Sequence, residues 1–416
     1  MRHVVATYLL VFLAKMLAAG GGLGGGGLLV PIFLLVSAVA PSSATPLSVC
    51  AIAGGAVANY LAYSQRRRSD NAPLVDYSAA LLVLPPLLMG TMLGAVLDAV
   101  LPEWLIVCLL FCVLSALAVR TTHKGLSTWR AQGRALAAEA ARLECERSSG
   151  DVVERSRENS DHSQRRSRSN SPLPPLFPRH ALGYAGASWT VVLLSALARG
   201  GHGAPSVLKG GVTCGSALYW CLFLLAWAAL AGLTISVRDN LLLAAPSECD
   251  AADEGECDDA ATMRLLVPPR WTCARTRHVP LASFGAGVAA GVLGIGGGML
   301  VGPLLLELGV EPRGVAATGA FLVLLADTSV VTQYALMGLL PASHGAPLAL
   351  TAFAATAVGQ AAAERVIVVT GRTAVVMLII AAVIAVSTLA TGAVAVRNLV
   401  AAARQGTHMG MRSLCS

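Results

Sequence analysis

The sequence predicts an all-α, polytopic membrane protein with about 8–10 transmembrane segments, arranged as two related halves that each contain a glycine-broken helix. Three observations carry this prediction. The chain of 416 residues is 55% hydrophobic and only 13% charged, with a mean hydropathy of +0.68, more apolar than the core of a water-soluble domain requires. Apolar runs long enough to cross about 30 Å of hydrocarbon recur along the whole chain, which excludes a lone signal peptide as their origin. A glycine cluster at 22–31, GLGGGGLLVP, returns at 294–303 as GIGGGMLVGP, an offset of 272 residues without a gap. Paired, glycine-interrupted apolar segments are expected of secondary transporters built from two related units.

In order, the runs lie near 4–40, 46–64, 77–100, 103–120, 181–200, 212–236, 281–309, 314–340, 346–363 and 372–396. Each is continuous rather than alternating, and helix is the conformation that satisfies such a backbone in lipid. The first is too long for one simple span. As a single helix, residues 4–40 would extend about 55 Å, so the run must break, tilt steeply or fold back. Gly24, Gly25, Gly26 and Gly27 mark the break, with Pro31 beyond them, and Gly296, Gly297 and Gly298 with Pro303 mark its counterpart. These bounds divide the chain into a first-half membrane domain (1–120), a cytosolic, disordered Ser/Arg-rich linker (121–179), further membrane segments (180–236), a polar acidic and basic loop (237–280), a second-half membrane domain (281–397) and a cytosolic tail (398–416).

Basic residues gather beside the runs: Arg66, Arg67 and Arg68; Arg120, Lys124, Arg130 and Arg134; Arg264, Arg270, Arg275 and Arg277; Arg397 and Arg404. The reading places all of these in the cytosol, and places LDAVLPEW, with Asp98 and Glu103, on the other side. The net charge of +7 is thus a topology signal, and no nucleic-acid partner is expected. Cys50, Cys108, Cys112, Cys214 and Cys221 fall in or beside apolar runs as small hydrophobes. Cys249, Cys257, Cys273 and His278 have no zinc spacing, so neither a metal nor a cofactor is implied. RRSRSNSP places Ser169 and Ser171 where basophilic kinases accept them, with a solvated, unregulated linker as the alternative.

A glycine break at mid-membrane starts a half-helix whose unpaired N–H groups and positive dipole end face the gap. Glycine lets a small anion approach those groups closely, so Gly24, Gly25, Gly26, Gly27, Gly296, Gly297 and Gly298 are candidate substrate contacts. The alternative is that they serve close helix packing only. Neither cluster ends in the Lys-Ser/Thr of a nucleotide loop. Within the spans, Thr318, Gln333 and Gln360 are further candidate substrate contacts, ahead of Asn59, and Asp327 is the candidate carrier of a coupling proton. Ser329, Thr332 and Gln333 share a helical face with Asp327 close by; interhelical hydrogen bonding is the competing role for the hydroxyls.

The paired clusters, the stretch 73–110 beginning PLVDYSAALLVLPPLLMG, the stretch 291–334 beginning GVLGIGGGMLVGPLLLELGVEPRG, and AVGQ at 357–360 together resemble the sulfite exporter TauE/SafE family of membrane transporters, in its plant-like eukaryotic branch. The resemblance covers roughly residues 5–130 and 180–396. It implies transport of a small inorganic or organosulfur anion, notably sulfite and sulfonates, in a lipid bilayer. Lys15 departs from the small apolar residues expected before the first cluster; it either supplies a cation near the anion's path or snorkels to headgroups. The sequence therefore predicts an integral, multi-pass transporter working by alternating access, not an enzyme, since no His, Ser and Asp constellation falls within the spans. The alternative is a scaffold or sensor that keeps the fold and binds partners through its linker. A homo-oligomer is compatible with either.

Overall fold

Uninterrupted apolar sequence becomes helix wherever the chain is described. The computed structural model describes residues 2–19, 26–36, 41–68, 71–148, 176–200, 206, 212, 215–244, 273–310, 312–340, 342–370 and 374–405. These form α1 (Arg2–Ala19), α2 (Gly26–Leu35), α3 (Pro41–Ser64), α4 (Tyr77–Val100), α5 (Glu103–Ser148), α6 (Arg179–Arg199), α7 (Ala217–Ala244), α8 (Cys273–Leu293), α9 (Gly298–Glu307), α10 (Pro312–Leu336), α11 (Ala342–Thr370) and α12 (Ala374–Gln405). Among the described residues the extended structure is one isolated bridge, Arg67 with Pro73. Seven of the helices, α3 to α7 with α10 and α11, are long and apolar enough to cross a membrane.

The offset between the glycine clusters holds across whole helices. Adding 272 to the bounds of α1, α2 and α3 gives 274–291, 298–307 and 313–336, against 273–293, 298–307 and 312–336 for α8, α9 and α10. The packing follows the same exchange. α1 lies on α11 and α8 on α4; α3 lies on α11 and α10 on α4; α3 meets α10 and α5 meets α12. α6 and α7 stand outside this scheme, packed on each other and on α4.

Directions follow from which residues meet. The α3–α4 loop sits at the start of α10, where the Asp76 N–H donates to the Thr318 hydroxyl at 2.9 Å. α4 and α8 run parallel through two small-residue faces, with Gly90 and Gly94 pressed on Gly287 and Gly291: a Cβ on Gly90 would lie 2.2 Å from the Phe284 carbonyl oxygen, and one on Gly94 would lie 2.6 Å from that of Val288. Spacing of this kind lets helix backbones touch within a membrane. α8 therefore enters at the end where α4 begins. α9 returns to that end, since Val301, Leu305, Leu308 and Val310 share a core with Leu74, Val75, Tyr77 and Val315. The run 281–309 thus enters and leaves on one face. The first run does the same from the opposite face: α1 lies along α11, with Met16 and Ala19 against Gly359, and Phe33 and Leu34 of α2 pack with Ala44 and Leu47 at the start of α3.

Three expectations change. The segment expected to be disordered from residue 121 is helical as far as Ser148, because TWRAQGRALAAEAARLECERS is rich in strong helix formers; residues 149–175 and 245–272, with Ser169, Ser171, Cys249 and Cys257, lie outside the described residues. The basic clusters do not share one face. α12 runs antiparallel to α5, with Leu378 beside Gly125 and Phe111 beside Gly392, so Arg397 and the start of the tail at 398 emerge opposite Arg66, Arg67 and Arg68. A re-entrant run counted as a crossing reverses every end after it. Asp98 also is no loop residue: it is buried within α4, hydrogen-bonded to Tyr334, whose hydroxyl donates to the Gly291 carbonyl at 2.8 Å.

Candidate functional site

The two breaks touch. Gly26, the first residue of α2, lies against the second break so closely that a Cβ there would stand 1.8 Å from the Ile295 carbonyl oxygen. In that second break the chain turns through Gly294 at φ 62° and Gly296 at φ 72°, left-handed values that side-chain-bearing residues seldom adopt. Neighbouring helices fasten both ends. The Ser48 hydroxyl of α3 donates to the Gly294 carbonyl at 2.8 Å, and the Ser387 hydroxyl of α12 donates to the Gly27 carbonyl at 2.7 Å.

Asp327 of α10 reaches this junction. It is 2% exposed; the Gly297 main-chain amide hydrogen-bonds to its carboxyl, and its Oδ2 lies 3.2 Å from where a Cβ on Gly296 would be. A carboxylate is therefore seated at the N-terminal end of α9, where the helix dipole favours negative charge. Lys15 of α1, also 2% exposed, attracts it electrostatically. Its ammonium stands 3.2 Å from where a Cβ on Gly55 would be, beside the Thr356 hydroxyl. Lys15 is thus buried at the breaks rather than snorkelling to the headgroups.

A seam of polar groups leads from Lys15 along α3 and α11 to the Arg66 end. After Thr356 comes Gln360, whose Nε2 donates to Asn59 Oδ1 at 2.7 Å, both buried. The Tyr63 hydroxyl hydrogen-bonds to Gln360, and Arg66 pairs with Glu364 where the seam reaches the surface. The i+4 spacing of 55, 59 and 63 on α3, and of 356, 360 and 364 on α11, puts each set on one face.

Of the residues singled out from sequence, Gly26, Gly27, Gly296, Gly297, Gly298 and Asp327 come together, and Gln360 joins them through the seam. Gly24 and Gly25 lie outside the described residues. Thr318 stands nine residues before Asp327 on α10, about 14 Å along the axis, bonded to Asp76. Gln333 donates weakly to the Ser329 carbonyl at 3.4 Å. The Ser329 and Thr332 hydroxyls are spent on their own helix, donating to Ala326 and Thr328 carbonyls at 2.7 and 2.8 Å. Thr356 and Tyr63 were not singled out from sequence; their i+4 register with Gln360 and Asn59 was the available signal.

Comparison with known proteins places this architecture. The family model of the sulfite exporter TauE/SafE matches residues 7–246. Sulfite exporter TauE/SafE family protein 3 of Arabidopsis thaliana is 28% identical over 393 residues, covering 93% of this chain and 77% of its own length. Family protein 1 of the same plant is 29% identical over 424 residues, covering 99% and 88%. No solved structure matches the chain.

Proposed function

The chain belongs to the sulfite exporter TauE/SafE family, membrane transporters rather than enzymes, and on that premise we propose that it is a secondary transporter of small anions, sulfite and sulfonates foremost, with its substrate site at the junction of the two glycine breaks. The observation that carries this reading is the contact of Gly26 with the Ile295 carbonyl beside the buried Lys15 and Asp327. Two re-entrant hairpins enter from opposite faces and meet at one place. Rocking one half against the other exposes that place first to one face and then to the other, which is alternating access. Helix ends supply fixed N–H dipoles, so a small oxyanion can be held there without a bulky cage. Asp327 is the group placed to couple a proton to it, and Gln360 and Asn59 line the approach from the Arg66 end.

The test is anion flux in proteoliposomes, with Gly297→Ala as the probe. A Cβ on Gly297 meets only Leu87 methyls, at 3.6 Å, so the variant folds while crowding the amide end of α9. Flux of sulfite is expected to fall by about tenfold, the scale of one weakened hydrogen bond. Absence of flux for sulfite, sulfate and a sulfonate alike, from folded wild-type protein, would leave the scaffold reading in its place.

A further inference from the structure

At the offset of 272, Asp327 corresponds to Gly55 and Lys15 to Gly287, so the junction draws its two buried charges from opposite halves. A further buried cation belongs to neither half. Arg199, the last residue of α6, is 5% exposed. Its Nε donates to the Ser195 carbonyl at 3.2 Å, and its Nη1 donates weakly to the Tyr219 hydroxyl at 3.4 Å. The guanidinium carbon lies 5.2 Å from the centre of the Tyr219 ring and 5.1 Å from that of Phe223. These rings hold the group in place without neutralising it. Two of its five N–H donors are thus engaged, and Nη2 has no acceptor among the described residues. No carboxylate pairs with it among those residues. The connection to α7, residues 200–216, contains His202 and Lys209 but no Asp or Glu. One turn earlier on the same face of α6, Ser195 is 8% exposed and its hydroxyl has no hydrogen-bond partner.

A buried cation without a counter-charge is costly. What completes an open guanidinium fork beside an unbonded hydroxyl is an anion that presents two or more oxygens. The place of the fork says where such an anion comes from. Arg199 ends one membrane-crossing helix and Ala217 begins the next, so the tip of this hairpin lies at the edge of the bilayer, at the level of the headgroups. Beside Tyr219 and Phe223, α7 exposes Leu218, Trp220, Leu224 and Leu225, and the Trp220 ring lies 5.6 Å from that of Tyr219 and 5.8 Å from that of Phe223. An apolar wall therefore runs from the cation along the outside of the protein, where acyl chains lie.

We propose that Arg199 and Ser195 form a second oxyanion site, separate from the junction, that holds the phosphodiester of a membrane phospholipid. The phosphate oxygens accept from Arg199 Nη2 and the Ser195 hydroxyl, and the acyl chains lie along the exposed leucines of α7. Free phosphate offers the same oxygens but has no apolar part to lie on that wall. The site also bears on the junction. Ten residues before Arg199, about 15 Å along α6, Trp189 Nε1 donates to Thr328 Oγ1 at 3.0 Å, beside Asp327. A lipid seated at the hairpin tip steadies the helix that braces the carboxylate of α10.

The test uses full-length protein stripped of lipid in a neutral detergent. It is titrated with phosphatidylglycerol, with diacylglycerol of the same chains, and with inorganic phosphate, and read by native mass spectrometry and thermal unfolding. Wild type is expected to retain one phosphatidylglycerol and to gain several degrees, and to respond to neither of the other two. Arg199→Gln keeps an amide donor but loses the charge, and is expected to bind the lipid about tenfold more weakly, the scale of a hydrogen bond to a charged group. Ser195→Ala breaks no bond within the protein. It is expected to unfold at the wild-type temperature when stripped, and to bind the lipid several-fold more weakly. Wild type that retains no phosphatidylglycerol, or retention equal in wild type and both variants, overturns the proposal. Stabilisation by inorganic phosphate that Arg199→Gln abolishes overturns the lipid assignment in favour of a free anion. Stabilisation by diacylglycerol equal to that by phosphatidylglycerol overturns the oxyanion site. No readout involves transport, so sulfite flux stands or falls separately.

Discussion

At the scale of single residues, glycines in the same motif have opposite tolerances. Gly26→Ala puts a methyl into the Ile295 carbonyl, and overpacking of backbone against backbone costs about 3 kcal/mol or more. Gly297→Ala meets only ordinary contacts, and its φ of −59° and ψ of −27° are helical, so its stability is expected to stay within about 1 kcal/mol of wild type. Thermal unfolding in detergent distinguishes them: a large loss for Gly26→Ala and little for Gly297→Ala, with equal losses contradicting the contact. The repeat made the glycines legible in the sequence, and its place in an apolar run made Asp327 legible. Lys15 was not, because a lysine one or two turns from a run's edge can face headgroups or core, and only packing from α3 and α11 decides between them.

At the scale of elements, the two seams that the repeat makes equivalent differ in chemistry. Between α3 and α11 stand Asn59, Tyr63, Thr356 and Gln360; the equivalent positions on α10 and α4 are Val331, Ala335, Leu84 and Leu88. One set forms a polar lane, the other carries apolar side chains alone. Replacing Asn59 by Val or Gln360 by Leu singly strands a buried partner and is expected to cost about 1–3 kcal/mol. The pair together copies the apolar seam and is expected to cost less than the sum of the singles, while sulfite flux falls because the lane is closed. A double variant as unstable as that sum, or one with full flux, would refute the lane. Helix identities were legible from apolar length, yet the partnership of Asn59 with Gln360 was not, since 301 residues separate them and no local pattern links them.

At the scale of the molecule, two re-entrant runs entering from opposite faces set the parity of every crossing between and after them. Cysteine introduced at position 66 and at position 397, in a background with the ten native cysteines replaced by serine, is expected to be labelled by an impermeant thiol reagent from opposite sides. Labelling of both from one side would contradict the path traced by α8, α9 and α12. Fold class and the two-half plan were legible because composition and repetition survive in one dimension. Orientation was not, because a run of 29 residues, 281–309, spans or doubles back according to contacts made by its flanks, and basic clusters were counted as though every run crossed.

The glycine-faced crossing of α4 and α8 also fixes the polarity of the site. Exchanging the charges between halves would need an aspartate at 55 and a lysine at 287. At 287 even a Cβ would lie 2.2 Å from the Leu87 carbonyl oxygen, so no lysine fits there. The cation can stand only in the first half and the carboxylate answers it from the second, which gives a nearly symmetric scaffold a built-in front and back.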